Sequence, residues 1–276
     1  MRVIYALWVR NLKSFLRNKP ALIFNLIFPF FFIFVFGEIF RNDFIENPIS
    51  YMLAGIVVAT VFDSSFRVSS STIDDMTSGF MKEVLVSPIS RLTIAVGQFV
   101  SSATVAAVQG MIIFGVGFAI GLRITSPVTV ILALLTMIFV GLVLAGFGLL
   151  IATITKNTQT FQAVSIAITM PMTFLSGAYL PLSMLPNALQ WVSYFNPLTY
   201  AVALFRTITL EKLDSPVHAL AAEGLAFEIG AITIAPPQAL LILVLFGAAF
   251  LAFSTLAFSK VDFSRMNRSK DDGLEI

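Results

Sequence analysis

Cysteine is absent from the chain, which excludes disulfides, thiolate metal ligands and thiol nucleophiles together. There is one histidine, His218, so no H-E-x-x-H helix can be assembled. It sits in a polar loop and reads as a solvated side chain rather than a ligand or base. Charge is scarce as well. Asp, Glu, Lys and Arg make up 12% of the residues, against about 25% in a soluble domain. No G-x-x-x-x-G-K-[ST] phosphate loop is present, nor a G-x-S-x-G elbow, nor paired carboxylates inside the apolar runs. Leu175-Ser176-Gly177 has the letters of an ATPase signature, but apolar residues follow it, and no ATP site is assigned to this chain. The formal net charge is only +2 despite a sequence pI near 9.0, which is no argument for a nucleic-acid partner.

What is present is apolar. Hydrophobic residues make up 58% of the chain and the mean hydropathy is +0.93, which identifies an integral membrane protein with one membrane domain. Residues 1–19 read as an amphipathic interfacial helix. On a helical wheel Ile4, Leu7, Trp8, Leu12, Phe15 and Leu16 share one side, and Arg10, Lys13 and Arg17 cluster opposite. The competing reading is a solvated helix against other protein. The apolar run that follows is long for a signal core and lacks an A-x-A-like site, so it is read as a retained span. Six spans are expected, over 20–38, 49–70, 93–121, 128–153, 159–179 and 238–259, with a polar tail over 260–276.

Polar residues inside these spans are the candidates for function. Asp63 and Arg67 lie four apart, on one helix face, as a pathway contact or as a mutually neutralised pair near the interface. Gln98, Gln109 and Gln162 either hydrogen-bond a neighbouring helix or touch cargo. Small residues at Gly117, Gly121, Gly141, Ala145 and Gly148 suit close helix approach. Residues 71–92 stop being membrane-like. Ile73, Met76, Phe80, Met81, Val84 and Leu85 form a one-sided stripe that ends at Pro88, with Thr72-x-x-Asp75 as a capping start.

The most informative stretch is 171–206. Pro171, Pro181, Pro186 and Pro197, with Gly177, deny it one continuous helix. A break in hydrocarbon is tolerable only against protein or beside water. The expected solution is a span that breaks near Ser176-Gly177 and turns back as a short amphipathic piece, with Leu182, Leu185, Leu189 and Val192 on its apolar face. Trp191, Tyr194 and Tyr200 suit the headgroup level. Residues 207–236 read as a mixed loop. Twelve of the 17 Lys and Arg fall in the N-terminal helix, the 71–92 segment, the Lys156 loop and the tail, whereas Arg41, Arg123, Arg206 and Lys212 fall on the other side. The positive-inside rule then places both termini in the cytoplasm of a multi-pass cell-membrane protein.

With this layout the chain resembles the membrane subunit of an ABC type-2 permease, the exporter-type family that includes drug-resistance permeases. The resemblance covers essentially the whole chain. It is carried by the basic amphipathic start, by Gly79-Phe80-x-Lys82-Glu83-x-Leu85-x-x-Ser87-Pro88, and by Leu175-Ser176-Gly177, Leu180-Pro181, Leu185-Pro186 and Asn196-Pro197-Leu198. It implies an all-α half-transporter of six spans. Two copies, expected as a homodimer, would face each other, with two separate ATPase subunits below that hold the ATP and magnesium. It also implies roles. Asp74, Asp75, Ser78, Gly79, Lys82, Glu83 and Val86 would form a coupling helix on the ATPase, and Arg10, Lys13 and Arg17 a second connector. Ser176, Gly177, Pro181, Pro186, Asn196 and Pro197 would belong to re-entrant helices capping the route, which Asp63, Arg67, Gln109 and Gln162 could line. The cargo would be hydrophobic or amphipathic, because the spans carry few fixed charges. An ion-gradient-driven transporter would want more buried carboxylates or matched broken helices, and a lipid-modifying enzyme would need a metal or acid–base cluster that the sequence lacks.

Overall fold

The computed structural model describes residues 2–39, 48–77, 91–122, 124–155, 157–229 and 232–260. Its elements in order are α1 (Arg2–Arg17), α2 (Lys19–Ile39), α3 (Pro48–Thr77), α4 (Arg91–Ile120), α5 (Pro127–Ile154) and α6 (Thr158–Leu175). A 3-10 turn (Leu182–Met184) follows, then α7 (Asn187–Tyr194), α8 (Pro197–Thr209), α9 (Val217–Ala222), strands β1 (Phe227–Ile229) and β2 (Ile232–Ile234), and α10 (Pro236–Lys260).

The bundle is built around α3, which packs against α4, α5 and α8 and also touches α2 and α6. Leu53, Ala54, Ile56, Val57, Val58 and Phe62 are all buried on it, so its N-terminal half is enclosed on nearly every side, as befits a central helix. Three of its buried hydroxyls are tolerated inside because they donate to the carbonyl a turn earlier: Thr60 to Ile56 (2.8 Å), Ser65 to Val61 (2.8 Å) and Ser69 to Ser65 (3.0 Å). The small residues of α5 permit close packing as expected. A Cβ at Gly148 would stand 2.6 Å from Ser69 Oγ, and one at Gly141 3.1 Å from the Ala103 carbonyl oxygen. Gly121 instead ends α4 at a φ of +120°, where a Cβ would meet nothing within 4 Å among the described residues. The peripheral α10 presents Leu241, Leu245, Phe253 and Leu256 outward, the pattern of a lipid-facing helix.

Four helices among the described residues are long and apolar enough to cross a membrane: Ile49–Ser71, Thr93–Ile120, Pro127–Ile154 and Pro236–Ala257. A fifth is reached if Ile4–Arg17 and Leu22–Val35, bent by 83°, count as one broken span. The expected fifth span, 159–179, stops as a helix at Leu175. Its 18 residues rise about 27 Å, short of the ~30 Å hydrocarbon core, and it carries Gln159 and Gln162.

Four expectations change. The helix read over 73–86 does not start afresh at Thr72, because α3 runs on to Thr77; Ile73 is fully buried as part of the same rod. Residues 78–90 lie outside the described residues. The apolar side of α1 does not all face lipid: Leu7 is buried, and a Cβ at Gly97 of α4 would stand 2.9 Å from Leu7 Cδ1. Pro171 does not interrupt α6, which carries it inside the helix. Finally, the 207–236 segment contains α9 and an antiparallel hairpin, Phe227 opposite Ile234, so the fold is all-α only in its membrane part.

Candidate functional site

The break after α6 falls at Ser176-Gly177, where the sequence places it. Ser176 is the C-cap of α6, and its hydroxyl donates to Thr173 O (2.7 Å) and accepts from Ala178 N (3.2 Å). Gly177 then takes a φ of +81°, a conformation that suits glycine. Pro181 and Pro186 precede the 3-10 turn and α7, where a missing N–H costs nothing. Asn196 has two tasks. Its Oδ1 accepts from Leu198 N (3.0 Å) as the N-cap of α8, with Pro197 as first helical residue, while its Nδ2 donates to Met172 O (2.6 Å) in the last turn of α6. One amide thus ties the end of the broken helix to the start of the returning one.

The returning helix α8 is buried along its whole length, and it carries Arg206 inward. The charge count groups Arg206 with Arg41, Arg123 and Lys212 on one side of the membrane; the structure adds that its side chain is buried, with only 2% exposed. Its Nε donates to Tyr51 O of α3 (3.0 Å), and its Nη2 donates to Gly177 O (3.1 Å) and more weakly to Ala178 O (3.4 Å). The guanidinium carbon lies 3.5 Å from the Tyr51 ring centroid. Carbonyl dipoles and a π face satisfy this cation where solvent cannot. Gly55 makes the arrangement possible: a Cβ there would overlap the Ala178 carbonyl oxygen and stand 2.7 Å from Arg206 Nη2. The readable signal was a lone arginine in the apolar run of α8. Tyr200, expected at the headgroups, is buried and donates to Tyr194 O (2.6 Å), whereas Leu189, Trp191, Val192 and Phe195 stay exposed. Of the expected apolar face only Leu182 is fully buried, with Leu185 partly so.

Glu211, just past α8 at a φ of +57°, clasps the start of α5. It accepts from Thr125 N (3.0 Å), Ser126 N (2.9 Å) and Thr129 Oγ1 (3.1 Å), and from the Thr125 hydroxyl. These donors, led by the Thr125 hydroxyl, hold its carboxyl below the ordinary value of 4.5. Lys212 pairs with Glu223 on the same loop.

Beneath the break lies a groove of about 610 Å³ between α2, α3 and α6, walled by Phe24, Phe32, Ile166, Met170, Phe174 and Tyr179. Asp63 and Arg67 face it as an ion pair of 2.6 Å, each side chain close to half exposed. Arg67 also turns to Ser64 Oγ (3.4 Å) and borders a second chamber of about 410 Å³, nearer the Asp74 end of α3. That chamber is lined by Asn11, Asn18, Asn25, Ser64, Ser71 and Gln162 among others. Asn11 is buried and fixed by donating to Gln98 Oε1 (2.9 Å) while accepting from Arg10. Gln162 therefore lines a cavity and Gln98 braces a neighbouring helix. Gln109 does neither: it is buried, and neither of its amide atoms has a hydrogen-bond partner among the described residues. Arg10, Lys13 and Arg17 line an open cavity of about 500 Å³ along α1. Asp74 closes the last turn of α3, exposed, and accepts from Thr158 Oγ1 at the start of α6 (2.6 Å). Asp75 shares that helix; Ser78, Gly79, Lys82, Glu83 and Val86 lie outside the described residues.

The family model described as ABC-2 type transporter matches residues 2–210. A protein of Cyanophora paradoxa named as a transport permease, ycf38, is 29% identical over 259 residues, which cover 90% of this chain and 87% of its own. Nodulation protein J of Rhizobium meliloti strain 1021 is 28% identical over 214 residues, 74% of this chain and 80% of its own. A protein of Escherichia coli strain K12 named as a multidrug ABC transporter permease, YbhR, is 28% identical over 156 residues, 56% of this chain and 42% of its own.

Proposed function

The chain belongs to the ABC-2 type transporter family, and we propose on that premise that it is the membrane-spanning permease of an ATP-driven exporter for hydrophobic or amphipathic cargo. It is a multi-pass membrane protein and a transport subunit. In this reading two copies form a homodimer in the cell membrane, with six spans each and both termini cytoplasmic. Two separate ATPase chains supply the energy, since this sequence carries no phosphate loop.

The observation that carries the proposal is the groove between α2, α3 and α6. It is largely apolar, Tyr179 of the 176–209 break contributes to its lining, and one wall is the α3 rod, whose far end leads into the 78–88 segment. ATP binding can bias the groove between two states only through contacts that differ between them. A push on the far end of α3 is such a contact, because Asp74 is joined there to the first residue of α6. The two walls of the groove then move together.

The test is co-purification with an ATPase encoded beside this gene. The expected result is a stable complex that loses ATP-to-transport coupling when Lys82 and Glu83 are charge-reversed. Sustained uphill transport by the chain alone would overturn it. Cysteines placed at Ser78 and Asp214 in this cysteine-free chain should label from opposite membrane faces, and same-face labelling would remove the six-span arrangement.

A further inference from the structure

The chamber and the groove lie in tandem along one cleft between α2, α3 and α6, and each helix gives the same order. On α2, Leu22 lines the chamber and Phe32 the groove; on α3, Ser71 and then Thr60; on α6, Gln162 and then Met170. Helix rise sets the two members of each pair about 12–17 Å apart along the cleft. Among the described residues only Asn25 of α2 and Arg67 of α3 line both cavities, so the boundary falls at their level. Resting on the permease reading, we infer that Arg67, tied to Asp63, is a gate between the chamber and the groove. With the pair closed the cavities are separate; with the pair broken they join into one route for cargo along α3.

The partners of Arg67 suit a part that moves. Asp63 lines the groove and holds one end of the guanidinium at 2.6 Å. Ser64 lines the chamber, and its Oγ already accepts a weaker bond from the other end at 3.4 Å. One cation therefore has an acceptor in each cavity, and passing from one to the other needs a side-chain rotation rather than a helix shift. Exposure agrees with this: the side chains of Arg67 and Asp63 are 45% and 47% exposed. A pair this open adds little to stability, so it breaks and re-forms readily. Arg206 is the contrast. It is buried and bonded to backbone carbonyls that cannot follow a rotating side chain, so it braces α3 where Arg67 can let go. Apolar side chains enter both cavities, Phe15 and Val68 in the chamber and Phe174 in the groove. What divides the cleft is thus one side chain and its tether, not a change in the chemistry of the walls.

The chain has no cysteine, so single reporter cysteines can follow passage in the full-length protein in lipid vesicles. Ser71→Cys reports on the chamber and Thr169→Cys on the groove. Two methanethiosulfonate reagents of similar size and opposite charge, the ethyltrimethylammonium and the ethylsulfonate, are added at the membrane face from which Ser71→Cys is reached. With the pair intact, Thr169→Cys should react at least about fivefold more slowly than Ser71→Cys, the factor that a half-exposed ion pair can supply. Arg67→Ala should bring the two rates within about twofold for both reagents. Asp63→Asn, which leaves the arginine untied, should also speed Thr169→Cys, whereas Arg67→Lys, which keeps a cation for Asp63, should stay slow. Ser71→Cys is measured in every variant as the reference rate. Equal rates at the two reporters with the pair intact overturn the inference, whether or not the variants fold. So does a Thr169→Cys rate that stays slow in Arg67→Ala, or one that rises for one reagent and falls for the other, which is the mark of an altered field rather than an opened gate. The labelling needs no ATPase and judges the gate alone; a chain that never co-purifies with an ATPase refutes the permease reading instead.

Discussion

Replacing Gly55 by alanine adds one methyl group at the most crowded point of the break. The new Cβ overlaps the Ala178 carbonyl oxygen and stands 2.7 Å from Arg206 Nη2, so either the 177–178 turn lifts or α3 shifts. Overpacking of this kind costs about 1–3 kcal/mol, and the upper end applies here because the obstacle is backbone rather than the end of a flexible side chain. The same displacement lengthens the Arg206 bonds to Gly177 O and Ala178 O. Arg206→Met removes the cation and its three carbonyl contacts, and with them any reason for the turn to stay. Breaking a buried charge network costs on the order of 3–5 kcal/mol, lowered here because methionine avoids the burial penalty of the charge. The two changes attack one contact, so their costs should not add, and a coupling of more than about 0.5 kcal/mol is expected. The assay is reversible chemical unfolding in micelles, followed by the two tryptophans, Trp8 on α1 and Trp191 on α7. Strict additivity of the double variant, or a Gly55→Ala chain as stable as its parent, would refute the claim that Arg206 and Gly55 together hold the break against α3.

Asn196→Ala should cost about 1–2 kcal/mol by removing both the cap of α8 and the donor to Met172 O. Asn196→Asp should recover only the cap, and equal stability of the two would show that the amide donor contributes nothing. Gln109→Leu should stabilise the chain by about 1–3 kcal/mol, because it removes two buried polar atoms that have no partner among the described residues; a lower melting temperature would contradict this. The depressed carboxyl of Glu211 keeps its clasp on α5 intact above the ordinary value of 4.5 and releases it as pH falls through the lower folded value. Proteolysis between α8 and α9 should therefore accelerate only in acid, and Glu211→Gln should abolish that dependence; acceleration at neutral pH would sink the assignment.

Much of this architecture was readable from local chemistry. Apolar runs located the long helices, because each backbone must satisfy itself within a span, and Ser176-Gly177 and Asn196-Pro197 announced their breaks through capping and turn preferences. What escaped depended on tertiary neighbours. Nothing local distinguishes Arg206 from a surface arginine until Tyr51 and the 177–178 carbonyls, far away in sequence, are seen to surround it. The stripe at 73–85 looked like an independent amphipathic helix because periodicity does not report whether a helix begins at a residue or passes through it. Glu211 could not be paired with Thr125 and Ser126 without the fold that brings α8 down beside α5. The two compartments along α3 were invisible for the same reason: Asn11, Asn25, Ser64 and Gln162 come from four different helices.

The 30 residues of α3 form a rod about 45 Å long, held at one extremity by the Tyr51 carbonyl and at the other by Asp74. A beam fixed at one support cannot shorten; it can only swing. A swing of about 5° about the Tyr51 support would carry the opposite extremity, about 39 Å away, roughly 3 Å sideways. The groove wall lies between the two, so its stroke grows with distance from the fulcrum: small beside Ala59 and larger at Arg67.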